Sequence, residues 1–387
     1  MSDRPRLLYL ITEDWYFWSH RADLARAAQE AGYEVVVATR VTDHGERIRE
    51  QGFQLMPLGM VRGSHNPFRE LIAIVELVRL YRRVRPTVVH HVAMKPILYG
   101  TLAAWVTRVP GVINAFAGLG YAFVEDRSRL LRWCVKTALK AVLHLGRSTV
   151  LVQNRDDQDR LVREGVIPVS RTRIVAGSGI DVELYSVQPE PSGIPIVLLP
   201  ARMLWDKGVG EFVEAARDLK RKGVTARYVL VGRCDEHNPA AIPQGRLAGW
   251  VQEGVVEWWG HRENMVSVYG AATLVVLPSY YGEGLPKVLL EAAACGRAIV
   301  ATDMPGCRDI VRDRDNGLLV PPRDSVALAA AIEELLADGR SRRAMGRRGR
   351  ELAVAEWSVP EIAGQMLNLY REQLKAVSTM DQLNGYA

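Results

Sequence analysis

Cysteines and long apolar runs are both scarce in this sequence of 387 residues. The four cysteines are Cys134, Cys234, Cys295 and Cys307. No two of them have the CxxC spacing of a zinc or redox site, so we expect reduced thiols and a cytoplasmic protein. No apolar run approaches the roughly 18 residues of a membrane span, and no leading segment resembles a signal peptide, so we expect neither membrane crossing nor export.

Acidic residues are scarce in one part of the chain. Residues 58–147 contain 4 acidic and 14 basic side chains, a net charge of +10. Residues 1–190 hold 26 basic and 20 acidic side chains, whereas the remainder of the chain holds 24 of each. A nucleic acid, an anionic membrane surface or an acidic substrate can each account for such a basic block.

Short apolar runs alternate with helical patterns in both halves of the chain, which is typical of parallel sheets covered on both faces. In the first half, strands are predicted at residues 6–12, 33–39, 87–92, 111–117 and 148–154. Residues 13–20 are predicted as a loop, without the GxGxxG of a dinucleotide site. After a stretch rich in proline, glycine and serine, strands are predicted at residues 196–200, 226–232, 255–260, 273–278 and 298–302.

We therefore predict two Rossmann-like domains, at residues 1–188 and 189–358. The break at residues 357–360 predicts that a final helix, at residues 359–387, returns to the first domain. Ligands of such sheets lie outside the carboxyl ends of the strands, and two sheets that face each other form a cleft.

Two cations follow the first strand of the second half. Arg202 and Lys207 lie in the segment ARMLWDKG. A guanidinium and an ammonium at the carboxyl end of a strand suit a diphosphate, and the helix predicted after Lys207 adds partial positive charge. For so short a motif, solvated surface cations are the alternative.

A second motif, EGLPKVLLE, follows the apolar run at residues 272–278. It predicts a helix N-terminus at which the backbone N–H groups of Gly284 and Leu285 bind phosphate oxygens. Glu283 precedes this helix, and Glu291 lies two turns into it. Because the neighbours of Glu291 are apolar, its carboxylate needs a partner, and ribose hydroxyls are candidates.

The motif EGLPKVLLE resembles the E-x₇-E pattern of retaining glycosyltransferases of family 4, which have the GT-B fold. The segments ARMLWDKGV, AGSGIDVELY and DNGLLVPPRDSVALAAAI resemble further elements of that family in order and spacing. The resemblance covers about residues 150–375. It implies an α/β protein of GT-B architecture, with two Rossmann-like domains whose parallel sheets face each other across a cleft.

The resemblance also implies roles for the matching residues. Arg202 and Lys207 would neutralise the leaving diphosphate and Glu283 would contact hydroxyls of the donor sugar, so these three are the catalytic candidates. The implied donor-binding residues, with Glu291 on the ribose, are Gly232, Arg233, Gly260, His261, Gly284, Leu285, Val288 and Glu291. No metal and no other cofactor is expected, since the nucleotide-sugar is a substrate.

The first domain is similar to the subset of the family that extends polyprenyl-diphosphate-linked sugars. Many family members have a histidine where this chain has Ala117, so another residue must take that place. The expected acceptor-binding residues are Asp14, Trp15, His91, Lys95, Asn114 and Gly118. Adjacent residues of a strand point to opposite faces, so one of His90 and His91 is expected in the core.

Two further patterns have competing interpretations. Along residues 129–145, a basic face formed by Arg129, Arg132, Lys136 and Lys140 lies beside Trp133. This helix either has a solvated cationic face or lies on an anionic membrane, and the aromatic segment at residues 15–18 either joins that surface or packs in the core.

The DxD patterns at residues 157–159 and 313–315 match a metal-nucleotide motif, but ordinary helix and turn positions are favoured.

We therefore expect a retaining, metal-independent N-acetylhexosaminyltransferase. It would move a sugar from a UDP donor to a polyprenyl-diphosphate-linked sugar, at the inner face of the cell membrane, in cell-surface glycan or glycoprotein biosynthesis. Alternatives are a GDP-mannose- or other hexose-dependent member and an enzyme like UDP-N-acetylglucosamine 2-epimerase. A non-catalytic binder of nucleic acid or lipid is disfavoured, since only Trp133 is interleaved with cations as strand binding requires.

Overall fold

The structure of the protein, a computed structural model, describes residues 4–61, 63, 66–119, 129–146, 148–235 and 238–384, without the side chains of residues 129–132 and 376–384. The side chains of Arg129 and Arg132, and the loop residues 120–123, therefore lie outside the described residues. The chain divides into unit 1, Met1–Gly179 with Val359–Ala387, and unit 2, Ile180–Ser358. The first boundary precedes residue 188, because the Ile180 N–H donates to Trp357 O at 2.8 Å and joins this segment to unit 2.

Each unit is built on a parallel sheet. The described strands of unit 1 are β1 (Arg6–Glu13), β2 (Glu34–Arg40), β3 (Gln54–Pro57), β4 (Val88–Val92), β5 (Gly111–Ala115), β6 (Ser148–Val152) and β7 (Thr172–Ile174). Those of unit 2 are β8 (Ile196–Pro200), β9 (Arg227–Val231), β10 (Glu257–Trp258), β11 (Leu274–Leu277), β12 (Ala298–Thr302) and β13 (Gly317–Val320). Their orders are β3-β2-β1-β4-β5-β6-β7 and β10-β9-β8-β11-β12-β13.

Helices cover both sheets. Those of the first part of the chain are α1 (Asp14–His20), α2 (Ala22–Glu30), α3 (Gly45–Glu50), α4 (Pro67–Val84), α5 (Thr101–Thr107), α6 (Arg129–His144) and α7 (Arg155–Arg163). The later ones are α8 (Val209–Arg221), α9 (Gln244–Gln252), α10 (Met265–Ala271), α11 (Lys287–Ala294), α12 (Cys307–Ile310), α13 (Ser325–Ala337), α14 (Gly339–Glu356) and α15 (Val359–Asn384). A π-helical turn, Pro96–Gly100, leads into α5, and short 3₁₀ turns occur at Val169–Arg171 and Trp205–Lys207. No helix in the described part of the chain combines the length and apolarity needed to span a membrane.

Residues 14–20, predicted as a loop, form helix α1, so that prediction is wrong. The aromatic and polar pattern hides the helix because Phe17 and Asp14 face inward while Trp15 is exposed. The Arg21 N–H donates to Phe17 O at 2.8 Å and ends this short helix.

Strand β1 divides unit 1 into two core layers. Tyr9 packs with residues of α2 and α15 on one face of the sheet. Its neighbours Leu8 and Leu10 pack with residues of α4 and α5 on the other face. This alternation follows from the period of two along a strand, and it buries the sheet on both sides.

In unit 2 the order of strands reverses beside β8. Strand β9 pairs with one edge of β8, and β11 pairs with the other. The loops that follow these parallel strands therefore meet at one edge of the sheet, where ligands of doubly wound folds bind.

Candidate active site

The turn after β8 is held against the end of β11. Gly208, which follows Lys207, has φ of +73°, and a Cβ at this position would lie 2.0 Å from Pro278 O. Only glycine tolerates both this backbone conformation and this approach. The Ser279 hydroxyl and the Tyr280 N–H each donate to Asp206 O at 3.1 Å. These contacts fix the position of Lys207 relative to the segment that begins at Ser279.

Two predicted catalytic residues form an ion pair at this turn. The Lys207 ammonium donates to Glu283 Oε1, and their side chains are 15% and 14% exposed. The Ser279 hydroxyl donates to the same oxygen at 3.1 Å. The structure thus brings together two residues that are 76 positions apart, with the charge of each compensated by the other.

Asp206 lies among these charges and was missed by the sequence analysis. Burial and Glu283 raise the pKa of its carboxyl, while Lys207 and Arg202 act in the opposite direction. Its Oδ1 is buried and has no hydrogen-bond partner in the described part of the chain. Arg202 is about half exposed and pairs with Asp235 at 2.8 Å. All three predicted catalytic residues therefore interact electrostatically with one carboxyl group, whose position directly before Lys207 was the available sequence signal.

Helix α11 begins where the motif EGLPKVLLE predicts a helix N-terminus. Its first residue is Lys287, and Pro286 is the N-cap. Gly284 is buried just before it, while Leu285 and Val288 are half buried. These residues lie close in sequence to the Lys207–Glu283 ion pair.

Glu291 is buried and has two partners within unit 2. The Tyr185 hydroxyl donates to Oε1 at 3.0 Å, and the Tyr269 hydroxyl donates to Oε2 at 2.9 Å. Burial raises the pKa of Glu291, and Lys287 and the two hydroxyls oppose this shift. The partner expected from the sequence was a ribose, whereas the structure supplies two tyrosines. Each carboxylate oxygen retains a second lone pair for a further donor.

The residues expected to flank the base meet at the ends of β9 and β10. The Gly232 N–H donates to Gly260 O at 2.9 Å, and Trp258 Nε1 donates to Gly232 O at 3.0 Å. A Cβ on Gly232 would lie 1.8 Å from Ala201 O. Burial lowers the pKa of His261, and the positive charge of Arg233 lowers it further.

The expected acceptor contacts of His91 and Asn114 are corrected by the structure. Both side chains are fully buried in unit 1. His91 Nδ1 lies 2.8 Å from Asn114 Oδ1, and His91 Nε2 lies 2.9 Å from the Tyr81 hydroxyl. Burial lowers the pKa of His91 to about 4, with the Asn114 hydrogen bond opposing it. These residues form a neutral core network beneath the sheet surface.

Asp14 is also corrected. It is fully buried and accepts hydrogen bonds from Trp15 N, Thr42 N, Thr42 Oγ1 and His44 N at 2.6–2.9 Å. Burial raises the pKa of this carboxyl, but these donors outweigh burial and leave the pKa below its usual value. Asp14 therefore holds the loop after β2. Trp15 remains 42% exposed.

The other expected acceptor residues lie nearer the surface. Lys95 pairs with Glu70 at 2.8 Å and donates to Val61 O at 2.9 Å. Gly118 is half buried with φ of +101°, and Ala117 before it is exposed. These positions remain candidates for an acceptor contact.

The described residues contain no group of three or more histidine, cysteine or acidic side chains placed to hold a metal. In the DxD patterns, Asp157 lies 3.3 Å from Asn154 Nδ2 at the start of α7. Asp313 accepts the Leu319 N–H at 2.9 Å, and Asp315 pairs with Arg348 at 3.1 Å. Both patterns thus have local structural contacts.

Comparisons with known proteins identify a matching family for each half of the chain. Residues 6–152 match a family described as glycosyl transferase 4-like, and residues 194–338 match a family described as glycosyl transferases group 1. One relative is the N,N'-diacetylbacillosaminyl-diphospho-undecaprenol alpha-1,3-N-acetylgalactosaminyltransferase of Campylobacter jejuni. It is 27% identical over 372 residues, which are 92% of this chain and 96% of that protein.

Solved structures show the same fold. Sucrose-phosphate synthase from Thermosynechococcus elongatus aligns with a TM-score of 0.78 and 24% identity, over 96% of this chain and 100% of that chain. Anabaena Alr3699/HepE in complex with UDP aligns with a TM-score of 0.77 and 17% identity, over 95% and 100%. The chain therefore belongs to the GT-B glycosyltransferases, with a glycosyltransferase 4-like N-terminal part and a group 1 glycosyltransferase C-terminal part.

Proposed function

We propose that this enzyme is a retaining, metal-independent glycosyltransferase that moves an N-acetylhexosamine from a UDP donor to a polyprenyl-diphosphate-linked sugar. The Lys207–Glu283 ion pair beside Arg202 carries this proposal. It lies at the edge of the unit 2 sheet where the order of strands reverses, and two cations there suit the diphosphate of a nucleotide-sugar.

In the proposed reaction the bond from the anomeric carbon to the diphosphate breaks, and a bond to the acceptor oxygen forms on the same face. Lys207 and Arg202 stabilise the negative charge that develops on the leaving diphosphate. The acceptor proton passes to that diphosphate, and Glu283 holds hydroxyls of the donor sugar. Because Glu283 already accepts from Lys207 and Ser279, the sugar and the diphosphate are held by one connected group of side chains.

The choice of substrates is supported by the relatives. The Campylobacter jejuni relative is named for a diphospho-undecaprenol substrate and for N-acetylgalactosamine transfer, and it spans nearly the whole of this chain. The Anabaena structure contains UDP. Glu291, Gly232 and His261 supply the remaining donor contacts in this proposal.

A lipid-linked acceptor calls for a surface that binds a membrane, and the exposed side chains of α4 support placing such a surface there. Phe68, Leu71, Ile72 and Val75 are 77%, 60%, 66% and 41% exposed. Their spacing places them on one face of the helix. The exposed Arg79 continues this face toward the C-terminus, so apolar and basic side chains adjoin as in helices that lie on anionic membranes.

Neighbouring helices extend this surface. Helix α5 packs against both α4 and α6. It exposes Trp105, and α6 exposes Trp133, at 53% and 63%. Lys136 on α6 pairs with Glu164 at 3.5 Å. We propose that α4, α5 and α6 form the membrane-facing surface of unit 1, at the inner face of the membrane.

Vesicle flotation tests this surface. Leu71→Ser combined with Ile72→Ser should weaken binding to vesicles with anionic lipid, because both substitutions remove exposed apolar area and no core contact. Val326→Ser, at a 73% exposed apolar position of unit 2, is the matched control and should bind like the parent. Equal flotation of all variants would argue against the surface.

Two other enzyme activities use a similar architecture. A GDP-mannose- or other hexose-dependent transferase needs the same diphosphate contacts, so assays with different nucleotide-sugar donors distinguish it. A UDP-N-acetylglucosamine 2-epimerase-like enzyme would convert the donor without an acceptor.

The proposal is tested by assaying UDP-N-acetylhexosamines, UDP-hexoses and GDP-mannose, each with and without a polyprenyl-diphosphate-linked sugar. We expect transfer only when acceptor is present, undiminished by EDTA, with retention of the donor's anomeric configuration by NMR. Lys207→Met and Glu283→Gln should each lower kcat by about 10²–10³-fold. Inverted product, donor conversion without acceptor, or near-normal turnover of both variants would contradict the proposal.

A further inference from the structure

An open cavity of about 580 Å³ lies at the amino edge of the unit 1 sheet. Its walls come from the carboxyl ends of α4 and α5 and from the segments that lead into β4 and β5. The acceptor candidates Lys95 and Gly118 follow β4 and β5, at the opposite edge of the sheet. The cavity is therefore separate from that site, and three arginines line it, Arg82, Arg85 and Arg108.

The three arginines have no acidic partner. Each is exposed, and no carboxylate of the described residues forms an ion pair with any of them. Of the two carboxylates of α4, Glu70 pairs with Lys95 at 2.8 Å. Glu76 accepts the Gly59 N–H at 3.2 Å. The carboxyl ends of α4 and α5 contribute about half a negative charge each, so three guanidiniums leave the cavity positive.

Arg85 and Arg108 stand where helices often end in glycine. Their φ values are +50° and +57°, in the left-handed region that side chains disfavour. Arg314 has a similar φ of +60° and pairs with Glu334 at 2.9 Å. Arg85 and Arg108 have no such partner within the described ranges. A cation at a position that favours glycine, without a protein partner, indicates that its charge serves a ligand.

Thr87 adds a hydrogen-bond donor to the cavity wall. Its Oγ1 accepts the Arg6 N–H at 3.1 Å, so the hydroxyl hydrogen can be donated to a ligand. A planar guanidinium presents paired N–H groups that match the oxygens of a phosphoryl group. A volume of about 580 Å³ lies within the range of small-molecule sites. These features together suit a phosphorylated ligand.

The cavity adjoins the exposed apolar face of α4. Arg82 lies seven positions after Val75, which is close to two turns, so both are on the same face of the helix. On α5, which packs against α4, the exposed residues Trp105 and Val106 directly precede this end of the helix. A membrane in contact with these apolar side chains would bring lipid headgroups to the cavity.

We propose that Arg82, Arg85 and Arg108 bind the phosphoryl group of an anionic lipid headgroup in this cavity. The choice of a lipid rests on the membrane-facing surface of the proposed function. A soluble phosphorylated metabolite presents the same chemistry, so the experiments distinguish the two sources.

Thermal unfolding of the full chain with sn-glycerol 3-phosphate, the soluble headgroup of phosphatidic acid, tests the site. All variants carry Lys207→Met, which weakens the proposed donor site of unit 2 as a competing phosphate site. The ligand should raise the Tm of this parent, since a ligand that binds the folded state stabilises it. Arg82→Gln should reduce the rise. Arg83→Gln is the matched control and should keep it, because this adjacent exposed arginine donates to Met56 Sδ at 3.5 Å and does not line the cavity.

Glycine variants separate ligand binding from a structural role. Arg85→Gly combined with Arg108→Gly should abolish the rise in Tm. Without ligand the Tm should change little, because glycine adopts a positive φ without strain, which offsets its greater freedom in the unfolded chain. A rise that persists in this double variant, or that is equal in Arg82→Gln and Arg83→Gln, would overturn the site. A marked fall in the ligand-free Tm of the double variant would also overturn it, because the arginines would then be structural residues.

Vesicle flotation identifies the source of the phosphoryl group. The parent chain should bind phosphatidylcholine vesicles that contain phosphatidic acid. Arg82→Gln should weaken this binding roughly tenfold to a hundredfold, because it removes hydrogen bonds to a charged group. Arg83→Gln should weaken it at most about fivefold, because it removes only general attraction to the surface. Equal losses in these two variants would overturn the lipid assignment and leave a site for a soluble phosphorylated ligand.

Failure of the proposed function is distinguishable from failure of this site. If Leu71→Ser with Ile72→Ser leaves flotation unchanged while Arg82→Gln weakens it, the membrane-facing surface of α4 is wrong and the headgroup site stands. If neither change affects flotation, the lipid assignment is wrong. None of these measurements requires sugar transfer, so an inactive parent chain would contradict the proposed activity alone.

Discussion

At the scale of single residues, Glu291 shows what the sequence reveals and what it leaves hidden. Its apolar neighbours indicate a buried carboxylate that needs a partner. The partners Tyr185 and Tyr269 lie 106 and 22 positions away, and no local pattern identifies them. The same holds for the Lys207–Glu283 ion pair: the sequence places both residues after neighbouring strands, but only the packing of the turn against Pro278 determines their contact.

Tyr269→Phe should lower the free energy of unfolding by about 1–3 kcal/mol at neutral pH, because it removes a donor to a buried carboxylate. The folded-state pKa of Glu291 is raised above its usual 4.5, so the carboxyl is protonated in both states below that value. The loss should therefore be smaller at pH 4 than at pH 7. Urea unfolding at both pH values measures it.

Tyr280→Phe is the matched control for this prediction. Tyr280 is a half-buried tyrosine of the same unit whose ring lies 4.4 Å from the Arg323 guanidinium, a contact that the variant keeps. A loss for Tyr269→Phe no greater than the control's at pH 7 would contradict the role of this hydroxyl.

At the scale of elements, the sequence predicts long or strongly apolar segments well. Strands β8 and β12 have the predicted bounds. Strand β7 was missed because it has three residues, too few for a visible alternation. Helix α1 was mistaken for a loop because its inward positions include Asp14, a residue type that is rarely buried without partners.

Asp157 lies in the first turn of helix α7, and the ionisation of its carboxyl group opposes folding at neutral pH. Burial raises the pKa of Asp157 to about 6, although the Asn154 hydrogen bond opposes it. The folded state therefore binds the proton more tightly than the unfolded state, whose value is near 3.8. The resulting stabilisation is present below about pH 4 and is lost as the pH rises through 6.

Asp157→Asn removes this titration. We compare the free energies of unfolding of the parent and of Asp157→Asn. The parent value minus the variant value should decrease by roughly 3 kcal/mol at most between pH 4 and pH 7. Asp159→Asn, at the exposed position two residues later, should show no such trend. Guanidinium unfolding across this pH range measures the difference, and a flat difference for Asp157→Asn would contradict the buried carboxyl.

At the scale of the whole molecule, the last helix belongs to the unit that contains the first strand. Ile362, Met366, Leu369 and Tyr370 of α15 are buried in the core of unit 1. The Tyr370 hydroxyl lies 2.7 Å from that of Tyr9 and 2.8 Å from His90 Nδ1. The pattern of apolar residues along α15 indicates one buried face, but the sequence alone does not identify the core that covers it.

Ile362→Ala should therefore destabilise unit 1 by about 2–5 kcal/mol, because it leaves a cavity in a closed core. Asn368→Ala, on the exposed side of the same helix, should change stability by less than about 0.5 kcal/mol. Hydrogen exchange should show reduced protection of the backbone amides of β1 and β4 in Ile362→Ala. Equal stability of the two variants would contradict the burial of α15.

The measurement that tests the central claim most directly is the titration of UDP, with GDP as comparison, into the parent chain, Lys207→Met and Lys222→Met. Lys222 is an exposed lysine of unit 2 that pairs with Asp218 at 3.0 Å, so its variant makes the same change in charge away from the site. We predict that Lys207→Met binds the nucleotide roughly tenfold to a hundredfold more weakly, while Lys222→Met binds like the parent. Equal affinity in all three proteins would contradict a donor site at Lys207 and Glu283.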